Sequence, residues 1–143
     1  MSETNKTISR RLIEEVFNKG NLDLAEELVT ADSVGHDPAL PEETHGPEGL
    51  RQSVTGYRTG FGDLVIKVED QIAEGDRVVT RWTGRGTHTG AIFGIDPTGK
   101  QTTVTGITID RIVGGKIAES WTNWDTLGLM QQLGVVPPVT AQV

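Results

Sequence analysis

The stretch Gln101–Trp124, QTTVTGITIDRIVGGKIAESWTNW, decides the fold. Val, Ile, Thr and Trp recur through both halves, a composition that suits a pleated, half-buried surface, and Gly114-Gly115 between them supplies the turn of a hairpin. The reading is two antiparallel strands, Gln101 to Val113 and Lys116 to Trp124. Side chains alternate along a strand, so unbroken alternation puts Ile117, Glu119, Trp121, Asn123 and, just past the end, Asp125 on one face. A carboxylate closing such a row beside indole rings is open to pKa tuning, because burial disfavours its charge and a neighbouring cation restores it. Asp125 is therefore the first candidate for a pocket acid or base.

Upstream, Leu64 to Ala73 and Arg77 to Thr89 have the same β-rich composition, separated by Glu74-Gly75-Asp76. A Gly90 to Lys100 loop containing Asp96-Pro97-Thr98-Gly99 leads into the hairpin. Sequential hairpins predict an antiparallel meander. Nearer the N-terminus the period changes: Ile8, Leu12, Ile13, Val16 and Phe17 recur at spacings of three and four, which predicts a helix with one buried face. Asn18-Lys19-Gly20-Asn21 ends it, Gly20 suiting the left-handed position after a helix, and Asn21 caps a second helix over Leu22 to Val29. Ala31 to Gly46 is rich in Asp, Ser, Gly, Pro and His and reads as a loop. Pro47 to Arg58 reads as a third helix, with Leu50, Val54 and Tyr57 on one side. A short helix over Thr126 to Gly134 precedes Pro137-Pro138. Helices followed by antiparallel strands give an α+β domain in which a twisted sheet closes over the helices as a cone, its interior a single site for a small ligand.

The 143 residues fit one domain, 1–143, with an ordered core over about 6–134, a flexible polar N-terminus and a flexible Pro-rich tail. With 13 Lys and Arg against 20 Asp and Glu, the formal charge of −7 disfavours nucleic acid and anionic membranes as partners, since phosphate neutralisation needs clustered cations. Cysteine is absent, which excludes disulfides, thiolate catalysis and Cys-based zinc sites. The N-terminus lacks the apolar core of a signal peptide and no segment approaches the roughly 20 apolar residues of a membrane span, so a cytoplasmic location is expected. His36, His45 and His88 lack the close spacing of a preassembled metal site, and no metal is expected. No serine lies in a Gly-x-Ser-x-Gly turn, which leaves nucleophilic catalysis without support.

Gly35-His36-Asp37-Pro38, Gly46-Pro47-Glu48-Gly49, Gly86-Thr87-His88-Thr89-Gly90, Pro97-Thr98-Gly99-Lys100 and Asp125-Thr126-Leu127-Gly128-Leu129-Met130-Gln131-Gln132-Leu133-Gly134 occur in the order seen in SnoaL-like polyketide cyclases. The resemblance covers nearly the whole chain. It implies the cone-shaped α+β barrel of the nuclear transport factor 2-like superfamily, in which a curved antiparallel sheet packs on N-terminal helices. It also implies cyclase or isomerase chemistry without metal or organic cofactor: an intramolecular aldol condensation in a small aromatic or polyketide-like carbonyl compound. The family's aspartate on the final strand matches Asp125, with His36 or His88 to stabilise or protonate the developing oxyanion. An ordinary carboxylate, pKa about 4, is a weak base, so the step calls for an acidic 1,3-dicarbonyl carbon or for burial.

Each candidate has a structural alternative. Asp125 also suits the N-cap of the helix that follows, His36 a hydrogen-bonded loop anchor, and His88 the ordering of a hairpin. Arg81 and Trp82 have opposite parity, and Trp82, with His88, is expected inside. Tyr57, Trp82, Trp121, Asn123 and Arg81 are the candidate substrate contacts, the aromatic ones suiting a flat ligand. A hydrolase, a cofactor-free oxygenase and a binding protein without turnover are the alternative functions. A homodimer formed through the outer face carrying Thr103, Thr105, Ile107 and Ile109 is expected by resemblance.

Overall fold

A computed structural model describes residues 2–137. The expectation of a flexible tail beyond Pro137 lies outside the described residues. Helix α1 (Ser2–Arg11) begins ahead of the expected core boundary and runs into a wider π-helical segment, Leu12–Phe17. Its buried face carries Ile8, Ile13 and Val16, as the periodicity requires. The segment ends where Arg58 donates to the Phe17 and Asn18 carbonyls at 2.7 and 2.9 Å, supplying cationic partners to a helix C-terminus. Gly20 follows with φ +69°, the left-handed conformation expected of it.

The second helix is shorter than expected: a single 3₁₀ turn, Leu22–Leu24, leads into α2 (Ala25–Leu28). The chain then becomes a strand, β1 (Val29–His36), and β2 (Thr44–His45) follows it. This corrects the reading of Ala31 to Gly46 as a loop. β1 takes its ladder from β6, far along the sequence, through the parallel pairs Gly35–Ser120 and His36–Trp121, and such non-local pairing overrides the loop-like composition. Helix α3 (Gly46–Gly60) packs on β1, and β3 (Val65–Glu74), β4 (Arg77–Thr87), β5 (Gln101–Val113) and β6 (Lys116–Trp124) form the expected meander before α4 (Thr126–Gln132).

The six strands form one curved sheet in the order β2-β1-β6-β5-β4-β3, antiparallel except for β1 with β6. The helices lie across its concave side. One apolar cluster, including Ile8, Val16, Leu28, Val54, Val78 and Ile117, fills one end, and a second around Phe61, Leu129 and Leu133 fills the other. Between them the interior is open.

A bulge in β6 determines what faces that interior. Ile112 pairs with Ile117, but Arg111 pairs with Glu119, so Ala118 is an additional residue on the β6 side. Such an insertion reverses alternation beyond it. Ile117 is buried on the inner side, and after the bulge it is Ser120, Thr122 and Trp124 that turn inward, while Glu119, Trp121 and Asn123 turn out. The single-face row expected from Ile117 to Asp125 is thereby broken.

Candidate active site

The interior holds a mostly apolar cavity of about 190 Å³. Leu12, Ile13 and Phe17 border it from the helical side, and β-strand side chains supply its polar groups. In-register pairing sets Thr80, Thr108 and Thr122 in one row across β4, β5 and β6. Thr108 and Thr122 share a hydrogen bond of 3.0 Å, and Trp82 donates its indole N–H to Thr108 at 3.1 Å. The Trp82 indole lies across Gly106, where a Cβ would stand 2.3 Å from the ring.

At the edge of the cavity Asp37 receives three hydrogen bonds. Tyr57 donates its phenol to Oδ2 at 2.5 Å, while the Trp124 indole and the Ala39 amide donate to Oδ1 at 3.0 and 2.9 Å. Oδ2 therefore retains a lone pair beyond the one Tyr57 occupies. Burial pushes the Tyr57 phenol far above its usual pKa, and the adjacent Asp37 charge adds to the shift, so Tyr57 stays a donor. Phe93, in a left-handed backbone conformation (φ 55°), packs against both Tyr57 and Trp124. The second inward carboxyl is Asp110, only 3% exposed. Burial raises its pKa, and the Ser120 hydroxyl, which donates to it at 2.5 Å, partly offsets the rise.

The sequence-derived candidates separate in space. Tyr57 and Trp82 border the cavity. Asp125 does not: it is exposed, and its carboxylate caps α4 by accepting from Gly128 N at 2.9 Å. The β6 bulge has turned this end of the strand over, and the capping role takes the side chain. His36 borders the cavity too, but its ring is engaged on the outer side, 2.7 Å from Glu119 and stacked on Trp121 with ring centres 5.8 Å apart. That contact is the main reason the Glu119 carboxyl sits below its usual pKa, with burial opposing and Arg111 assisting. Arg77 covers the Trp121 ring, and Arg81 and Asn123 are exposed, so none of these three contributes to the cavity wall. His88 is wholly buried but away from the cavity. Its Nδ1 accepts from the Thr98 amide at 3.2 Å, which leaves the ring proton on Nε2 and makes His88 an anchor for the 90–100 loop. His45 is exposed. Among the described residues, no three His, Asp or Glu side chains converge as a metal site, and no helix is long and apolar enough to cross a membrane.

Asp37, Asp110 and Trp124 are the inward groups that the sequence reading did not single out. Asp110 shares the parity of Thr102 and Ile112, both buried, so alternation along β5 carried the signal. Asp37 lay inside the supposed loop, where no parity was defined.

The model of the family described as SnoaL-like polyketide cyclase matches residues 7–133, nearly the whole chain. The chain belongs to this family. A curated relative, the aklanonic acid methyl ester cyclase DnrD of Streptomyces peucetius, is 30% identical, and the match covers 87% of each chain. Among solved structures, TsrD from Streptomyces laurentii superposes with a TM-score of 0.85 at 27% identity, over 95% of this chain and 98% of its own. AclR from Streptomyces galilaeus, a proposed hydroxylase, gives 0.84 at 26% identity, over 99% and 87%. The α+β architecture of helices on a curved sheet is that of the nuclear transport factor 2-like superfamily.

Proposed function

We propose that this SnoaL-like protein is a cyclase that closes a ring in a flat, aromatic or polyketide-like keto ester by acid/base catalysis without a cofactor. The observation that carries the reading is Asp37, held at the edge of an apolar cavity by Tyr57 and Trp124 with a free lone pair on Oδ2. In the reaction, Asp37 takes a proton from the carbon between two carbonyls. The enolate carbon attacks a ketone of the same molecule, forming the ring bond, and the resulting alkoxide recovers the proton from Asp37. Tyr57 and Trp124 act as positioning residues, fixing the carboxylate without spending its free lone pair. Trp82 and the apolar wall receive the flat ring system. A cavity of about 190 Å³ encloses one or two fused rings, and a larger substrate extends past Tyr57.

The test starts from the substrate named for the curated relative, aklanonic acid methyl ester, and extends to smaller aromatic β-keto esters. Catalysed ring closure of any of them above the buffer rate supports the reading. Ring closure at the buffer rate throughout the series, with the protein folded, refutes it. The likeness to AclR favours a second reading, cofactor-free oxygenation, which requires oxygen consumption that the cyclase reading does not. The proposal includes a homodimer formed through the outer face of β5, where Thr103, Thr105 and Ile107 are exposed and Ile107 retains 47% of its surface.

A further inference from the structure

Asp110 pairs across the sheet with Val78 and Ser120, one row beyond the threonines and next to the apolar cluster at that end of the cavity. Ser9 of α1 and Ser33 of β1 border the same end, and Ser9, Ser33 and Asp110 are all buried. Ser9 occupies a helical position between Ile8 and Leu12, whose neighbours are apolar, where a small apolar residue would pack without cost. Its hydroxyl is 1% exposed, has no partner at full hydrogen-bonding geometry among the described residues, and stands near enough to the Asp110 carboxyl to help hold its pKa down. Asp110 leaves that buried hydroxyl short of a full hydrogen bond, which is costly, and a ligand hydroxyl set between the two satisfies both.

We infer that Ser9, Asp110 and Ser120 form a second polar subsite that takes a neutral hydroxyl, such as a phenol, at the end of the ligand remote from Asp37. Such a hydroxyl donates to the Asp110 carboxyl and accepts from Ser9. An anionic group is disfavoured, because Arg85, the arginine bordering the cavity, sits on β4 opposite Val65 and Thr103, several rows from Asp110. The inference rests on the cavity being the ligand site, and adds that the ring system carries an oxygen at each end.

Equilibrium dialysis with 2-naphthol and 2-methylnaphthalene, nearly equal in shape, tests it. The wild-type protein is expected to prefer 2-naphthol by about tenfold, because a site built for a hydroxyl rejects the analogue lacking it. Ser9→Ala is expected to cut that preference to about twofold and leave 2-methylnaphthalene affinity unchanged. Asp110→Asn gives a second reading, and Ser9→Ala carries the test alone if that variant does not fold. Binding of both compounds without preference overturns the subsite and leaves the cyclase reading standing. A preference that survives Ser9→Ala assigns the hydroxyl to another partner and also overturns it. Binding of neither compound removes the ligand cavity, and both proposals with it.

Discussion

Replacing Asp125 by alanine separates a capping role from a catalytic one. Its carboxylate accepts one hydrogen bond, from Gly128 N at 2.9 Å, at the start of the seven-residue helix α4, and it is exposed. In Asp125→Ala the Gly128 amide turns to water, so the loss is that of an N-cap, about 1 kcal/mol. At roughly 2.1 cal/mol/K per residue, a chain of 143 residues unfolds with an entropy of about 300 cal/mol/K, so that loss lowers Tm by about 3 °C. Asp125→Asn keeps an acceptor at the cap and should stay within about 1 °C of wild type. Turnover of any substrate found should change less than about twofold in both variants, whereas removal of a general acid/base costs on the order of 10²–10⁴. Calorimetry and initial rates on the same preparations provide the assay. A hundredfold rate loss in Asp125→Asn with unchanged Tm would refute the capping assignment.

Asp110 should make stability fall as pH rises. Its pKa is raised in the fold by burial, so above the ordinary aspartate value of 3.8 the unfolded chain releases a proton that the native state keeps; the decline runs up to the folded pKa and then levels off. Urea titrations from pH 4 to 8 should show Asp110→Asn gaining on wild type as pH increases, and a pH-independent difference would contradict the assignment. Gly106→Ala puts a methyl group 2.3 Å from the Trp82 ring, which has to swing into the cavity, so naphthol binding should weaken by at least tenfold with the chain still folded. Retained binding would show that Trp82 has another place to go. Ile107→Lys places a charge on the outer face of β5, and light scattering should give a monomer where the wild-type protein gives a dimer. A wild-type monomer at micromolar concentration rejects the interface.

The parts of the fold legible in the sequence are those whose pairing is local. β3 to β6 follow one another in sequence, with two-residue turns between β3 and β4 and between β5 and β6 and a longer loop between β4 and β5, and composition marks β5 and β6 at their observed ends. β1 is hidden because Ala31-Asp32-Ser33-Val34-Gly35 lacks β-rich composition and gains its strand character from β6, some eighty residues later. Parity worked where the ladder is unbroken: β4 and β5 pair without a register shift, so Trp82 and Arg81 lie on the sides alternation gives them. It failed at Asp125 because a single added residue, Ala118, inverts the end of β6, and nothing local marks an alanine as a bulge. Trp124 thus replaces Trp121 on the cavity side. The catalytic candidate moves with it, from Asp125 to the carboxylate that Trp124 holds, Asp37.

The most direct measurement is the rate of ring closure by Asp37→Asn, compared with wild type at equal occupancy of the cavity. An asparagine with its amide oxygen in the place of Oδ1 still accepts from Trp124 and Ala39, turns its NH2 to the Tyr57 oxygen as a donor, and cannot take a proton from carbon. The account predicts a loss on the order of 10²–10⁴ in kcat with naphthol binding preserved. A rate within a few-fold of wild type would contradict it.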